Sequence, residues 1–273
     1  MILSEKRAFA QIIQSPIPNR KEKPRTEGLT MVIDKGMGTR EFTDLMEVAS
    51  AHLDILKFGF GSSTLYPESV LRQKLDIAKL YSVFTCPGGT LAEIAYHQNA
   101  FKEYLHYCVK LGFTAMEISD GTLDIPSEDR LRMIEQAKSQ LSLVLSEVGK
   151  KLTHGVDPIA LAKQVKLDLL AGADYVVVEG RESGENAGMY DGSGHLDELV
   201  FQEFLACLDT SEQQRLMFEA PKKSQQIDFI ERFGTQVNLG NIAPAETIAL
   251  ECLRRGLRSD TFAFVSLPSE VSG

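Results

Sequence analysis

Thr30-Met31-Val32-Ile33-Asp34 is the stretch on which the fold turns. Its apolar, β-branched run stops at a carboxylate. Gly36, Gly38 and a helical repeat of Phe42, Leu45, Met46 and Val48 follow, so the segment reads as one strand feeding one helix.

Working outward, the same unit recurs at Ile55–Phe58, Ser82–Cys86, Ala115–Ile118, Leu143–Val148, Tyr175–Glu179, Leu216–Glu219 and Gln236–Leu239, with amphipathic stretches between most of them. Alternating strands and helices imply parallel pairing through right-handed crossovers, and eight such units close an α/β fold of the single (β/α)8 TIM-barrel type, about 250 residues long. A doubly wound open sheet is the alternative, but no GxGxxG follows the first strand. The expected organisation is an N-terminal leader over 1–28, holding Pro16, Pro18 and Pro24 among basic residues, the barrel over 29–263, and a C-terminal tail over 264–273. Thr90-Leu91-Ala92-Glu93 suggests a capping box, and Asp157-Pro158 an N-cap followed by proline at the first helical position.

The chain has 273 residues, 29 Lys and Arg against 38 Asp and Glu, and a formal charge of −9. No basic block stands out, which argues against a nucleic-acid partner. An anionic ligand would need local Lys, Arg, backbone N–H groups or a metal to invert the sign of that field. Cys86, Cys108, Cys207 and Cys252 are widely spaced, as expected of reduced thiols in a cytoplasmic protein. No apolar run reaches the roughly 18 residues of a membrane span, so no membrane association is expected. A homo-oligomer is left open.

In a barrel, chemistry collects where strands run into the following helices. Those ends carry Asp34, Lys57, Glu117 with Asp120, Glu147 with Lys151, Glu179 with Arg181 and Glu182, Glu219, and Asn238 with Asn241. Side chains alternate along a strand, so Glu147 and Lys151 share parity, as do Glu179 and Arg181. Several carboxylates around one mouth suit a hard divalent cation, with Asp34, Glu117, Glu147 and Glu179 as the candidates for Mg2+. Each could instead be a rim partner of Lys57, Lys151 or Arg181. Two anion cradles are expected. Asn238-Leu239-Gly240-Asn241-Ile242 lies where many barrels hold phosphate, with Asn238, Gly240 and Asn241 as its candidates. Gly180-Arg181-Glu182-Ser183-Gly184 offers Arg181, Ser183 and Gly184. A tight turn is the alternative for either. The histidines show no HxH or HExxH spacing, which argues against a histidine zinc site.

The strand-end strings, taken together, resemble the phosphosulfolactate synthase family. The resemblance runs through Gly28-Leu29-Thr30, Ile33-Asp34-Lys35-Gly36, Lys57-Phe58-Gly59-Phe60-Gly61, Pro87-Gly88-Gly89-Thr90 and Glu117-Ile118-Ser119-Asp120-Gly121. It continues through Glu147-Val148-Gly149-Lys150-Lys151, Glu179-Gly180-Arg181-Glu182-Ser183-Gly184, Phe218-Glu219-Ala220-Pro221, Asn238-Leu239-Gly240-Asn241-Ile242 and the stretch from Leu253 to Phe262. It implies a (β/α)8 barrel, Mg2+ dependence, and a lyase-type addition of sulfite to C3 of phosphoenolpyruvate, associated with coenzyme M biosynthesis. Under that reading Lys151 is the expected proton donor, Arg181 an anion clamp, and Lys57 a further catalytic lysine. The alternatives are a barrel-lysine aldolase using Lys57 or Lys151, and a non-catalytic, stress-related member of the family.

Overall fold

The computed structural model describes residues 8–149, 157–180, 183–185 and 189–262. Its elements are β1 (Thr30–Asp34), α1 (Thr39–Ala49), β2 (Ile55–Phe58), α2 (Glu68–Leu80), β3 (Phe84–Pro87), α3 (Gly89–His97), α4 (Phe101–Leu111), β4 (Ala115–Ser119), α5 (Ser127–Lys138) and β5 (Leu143–Val148). Then come α6 (Pro158–Ala171), β6 (Tyr175–Val178), α7 (Glu198–Ala206), α8 (Thr210–Gln213), β7 (Leu216–Glu219), α9 (Lys223–Phe233), β8 (Asn238–Ile242), α10 (Thr247–Arg254) and α11 (Ser259–Phe262).

All eight strands run parallel in the order β3-β2-β1-β8-β7-β6-β5-β4. At the seam, the Thr114 N–H donates to Thr85 O at 3.2 Å while the Thr85 N–H donates to Thr114 Oγ1 at 2.9 Å. A side-chain oxygen thus replaces one rung of the ladder, and the sheet closes to a (β/α)8 barrel as the alternation predicts.

Because side chains alternate across a strand, each strand serves two cores. One set, including Val32, Leu56, Phe58, Met116, Val144, Val176, Phe218 and Leu239, packs against the helices. The other, Leu29, Met31, Ile55, Cys86, Ala115, Leu145, Val177 and Met217, fills the barrel. Moving two residues further along several strands carries this inner row from apolar to charged, from Ile55 to Lys57, Ala115 to Glu117, Leu145 to Glu147, Val177 to Glu179 and Met217 to Glu219. The interior is apolar at depth and charged at the C-terminal mouth.

Two expectations are corrected here. The stretch from Asn238 to Ile242 is not a turn after the last strand: it is the last strand, pairing with both β1 and β7. Its register against β1 slips between Thr30↔Leu239 and Val32↔Ile242, so β8 carries an extra residue, and Asn241 takes a left-handed φ of 55°. Glu93 does not cap α3, whose N-cap is Gly88 with no side-chain cap. By contrast Asp157 caps α6 as expected, accepting from the Ile159 and Ala160 N–H groups ahead of which Pro158 sits.

Residues of the expected leader pack across the N-terminal end of the barrel. Arg20 donates to Gly28 O and Glu251, Arg25 to Asp54, and Lys23 to Leu53 O. No described helix is long and apolar enough to cross a membrane.

Candidate active site

A cavity of about 350 Å³ opens at the C-terminal mouth, lined among the described residues by Ile33, Lys57, Phe60, Gly88, Gly89, Thr90, Glu117, Glu147, Glu179, Ser183, Glu219 and Asn241. Lys57 stands at its centre, only 4% exposed. Its Nζ lies 2.9 Å from Glu219 Oε1 and 3.1 Å from Glu117 Oε2. The second oxygen of each carboxylate is held by a main-chain amide, Gly89 N–H on Glu117 at 2.8 Å and Gly180 N–H on Glu219 at 3.0 Å. Glycine is required beside Glu117, because a Cβ on Gly89 would sit 2.5 Å from Ser119 Cβ and 3.0 Å from Glu117 Oε1.

Burial acts to lower the Lys57 pKa, but Glu117, Glu219 and Glu147 outweigh it and hold the ammonium well above its ordinary range. Burial raises the Glu117 carboxyl, Lys57 opposes that, and Glu147 and Glu219 add to it. Lys57 is therefore a fixed cation in an acidic wall.

Beyond this core, Ser119 Oγ lies 2.9 Å from Glu147 Oε1 and 3.0 Å from Glu93 Oε1. Glu93 in turn accepts the Thr122 and Leu123 N–H groups. Arg130 donates to Glu147 O, Asp168 and Asp120, which fixes the end of β5. Asn241 is 5% exposed, and its Oδ1 is buried with no hydrogen-bond partner among the described residues.

Of the residues expected from the sequence, the cavity gathers Lys57, Glu117, Glu147, Glu179, Ser183 and Asn241. Asp34 is elsewhere: it is fully buried against Lys74, accepts the Gly36 and Met37 N–H groups, and does not line the cavity. Lys74 is itself enclosed by the Phe42, Phe58 and Tyr66 rings, 4.4 to 5.1 Å from its ammonium, so the pair pins the β1–α1 connection. Asn238 faces the opposite end of the barrel, accepting Leu29 N–H and donating to Gln214 O and Leu216 O. Gly240 lies inside the barrel, where a Cβ would meet Met31 Cε at 2.8 Å. Gly184 does not line the cavity either; its carbonyl is held by Gln225 Nε2 at 2.8 Å. Lys151 and Arg181 lie outside the described residues.

Sequence reasoning missed Thr90, Glu93 and Ser119. The Gly88-Gly89 pair was the available signal for Thr90, since adjacent glycines at a helix start mark close approach of backbone. Among the described residues, no three His, Cys, Asp or Glu side chains group closely enough to hold a metal by themselves.

Charge desolvated on this scale, at the strand ends where barrels carry their chemistry, places the molecule among the (β/α)8-barrel enzymes. Residues 18–260 match the family described as (2R)-phospho-3-sulfolactate synthase, and the chain belongs to that family. It is similar to phosphosulfolactate synthase of Methanothermobacter thermautotrophicus, 45% identical over 92% of this chain and 97% of that one. It is also similar to phosphosulfolactate synthase of Methanocaldococcus jannaschii, 44% identical over 87% of this chain and 95% of that one. The fold alone is shared with 3-hexulose-6-phosphate synthase from Salmonella typhimurium, with a TM-score of 0.52 and 14% identity over 87% of this chain and 98% of that one. The protein is an enzyme of the lyase or synthase type.

Proposed function

We propose that the enzyme adds sulfite to C3 of phosphoenolpyruvate, with Mg2+ bound at the barrel mouth. The observation that carries this reading is the cavity wall: the strand-end carboxylates Glu117, Glu147, Glu179 and Glu219 line one mouth together with the Lys57 ammonium. A divalent cation among such carboxylates would bring an anionic substrate to them.

The donor chemistry fits Mg2+, which takes oxygen ligands and needs one or two carboxylates, the remainder coming from waters and substrate. Asp34 is held by Lys74 away from the cavity; Glu147 and Glu179, which line it, would hold the ion, with the Asn241 amide oxygen as a further donor. When bound, Mg2+ supplies positive charge to the substrate's oxygens. The absence of a three-ligand cluster among the described residues is compatible with an ion completed by substrate.

In the addition, the sulfur lone pair forms the S–C3 bond, the C2–C3 π bond breaks, and its electron pair moves onto C2 and the attached carboxylate. Lys57 provides a fixed positive charge for that anion, preorganised by two glutamates. A proton then reaches C2. Lys151 remains the proposed donor and Arg181 the proposed phosphate clamp, both from their places in the sequence. The raised pKa of Lys57 weighs against Lys57 as the nucleophile of the aldolase alternative, since a Schiff base needs a neutral amine.

Incubation with phosphoenolpyruvate, sulfite and Mg2+ is expected to yield the sulfonate adduct by mass spectrometry, and absence of the adduct with a folded enzyme overturns the assignment. Excess chelator is expected to abolish phosphoenolpyruvate binding by calorimetry; equally tight binding would remove the metal from the reading.

A further inference from the structure

Phe60 combines three properties that do not ordinarily meet in one residue. Its φ is 57°, the residue is 46% exposed, and it lines the cavity at the mouth. A bulky side chain in the left-handed region is a genuine outlier, costing on the order of 1 to 2 kcal/mol, and glycine would adopt the same backbone freely. The backbone is held there from both sides. Gly59 N–H donates to Asp34 O at 2.8 Å, and across the mouth Gly88 approaches so closely that a Cβ would lie 2.9 Å from Phe60 O. Packing offsets that strain only in part, because the residue as a whole is 46% exposed. Among the described lining residues, Ile33 and Phe60 are the apolar side chains, and Ile33 is buried at the wall, 4% exposed.

We propose that Phe60 is a ligand-covering, specificity-determining residue: its ring closes over the apolar face of a small anionic substrate and excludes water from the reacting carbon. The proposal rests on the function above only for the choice of ligand, a three-carbon enol phosphate whose CH2 terminus is its one apolar edge. Covering the exposed part of the ring corresponds to roughly a 10- to 50-fold gain in affinity at the usual value of buried apolar area.

The test sets stability against binding in Phe60→Gly, with Phe60→Tyr as the conservative variant. Phe60→Gly is expected to melt no lower than the wild type, and up to about 4 °C higher from relief of strain, yet to bind phosphoenolpyruvate roughly 10- to 50-fold more weakly in the presence of Mg2+. Phe60→Tyr is expected to restore affinity without the gain in Tm. If the wild type binds phosphoenolpyruvate and Phe60→Gly binds it equally well, the covering role is overturned and the function stands. If the wild type binds none, the function fails, and Phe60 is judged by Tm alone: a more stable Phe60→Gly supports a ring retained for some ligand, and a less stable one assigns it to packing and overturns the proposal.

Discussion

At the N-terminal end of the barrel, Arg254 is fully buried and donates to Thr235 O, Val237 O and Leu29 O. Around it Glu251 receives Arg20 and Arg255, and Asp54 receives Arg25 and the Thr30 N–H. At the C-terminal end, Glu117, Glu147, Glu179 and Glu219 line the mouth with Lys57, and the Asn241 oxygen has no partner among the described residues. Both ends bury charge, and desolvation penalises both. Their difference lies in sign among the described residues: at the closed end Arg20, Arg25, Arg254 and Arg255 gather around Glu251 and Asp54, while at the open end carboxylates gather with Lys57. The first arrangement ties the terminal segments to the barrel, and the second stands where barrels carry their chemistry.

The most severe way to break this contrast is Lys57→Met, which strips the mouth of its described cation. Leaving Glu117 and Glu219 without a counter-charge is expected to cost about 3 to 5 kcal/mol and turnover of phosphoenolpyruvate with sulfite to fall by about 10²- to 10³-fold. A calorimetric melt and a steady-state assay read both, and near-normal kcat would end the role given to Lys57.

Arg254→Met attacks the other end. Stability is expected to fall by about 3 to 5 kcal/mol, with Tm lower by roughly 10 °C, as three carbonyls lose a charged donor. The kcat of the folded fraction should be unchanged. A selective loss of kcat would mean that the two ends are coupled.

A sharper comparison uses one strand. Asn238→Ala and Asn241→Ala remove the same amide three positions apart in β8. The first is expected to cost about 1 to 3 kcal/mol of stability with activity kept, because it unpairs buried main-chain groups. The second should leave Tm near the wild type and weaken phosphoenolpyruvate binding about tenfold or more. Equal Tm losses in both variants would make Asn241 structural.

The smallest expected effect is in pH dependence, with chelator present to exclude metal. Burial opposes ionisation of Glu251, but Arg20, His52 and Arg255 prevail and hold its carboxyl below the ordinary range. Its contribution is therefore present above the unfolded value of about 4.3 and lost as pH falls through the folded one. Glu117 is raised, chiefly by burial, so its contribution is complete below the unfolded value and lost as pH rises through the folded one. Acid should thus weaken the closed end and relax the mouth. Tm against pH should lose its acid limb in Glu251→Gln and flatten above about pH 4.3 in Glu117→Gln; coincident curves for the two variants would refute the contrast.

Most of this architecture was legible beforehand. The run from Thr30 to Asp34 is β1, and each of the seven further segments became a strand, with ends moved by at most three residues. The largest shift was the eighth, expected over Gln236–Leu239 and found at Asn238–Ile242. Asparagine and glycine lower strand propensity, so local composition favoured a turn, while pairing to β1 and β7 prevailed. The same tertiary preference took Glu93 away from its helix start. Its carboxylate reaches Ser119 and the amides of Thr122 and Leu123 instead.

By itself the sequence determined the alternation of strands and helices, the apolar depth of the inner row, and the set of polar residues able to stand at the mouth, because periods of 2 and about 3.6 residues are local properties of the chain. Which of those residues meet was decided by closure of the barrel. Lys57 finds Glu219 across 162 positions of sequence, Asp34 is drawn aside by Lys74, and an extra residue in β8 turns Asn241 to the cavity while Asn238 faces the other end. Register and closure are cooperative properties of all eight strands, so no local pattern carries them.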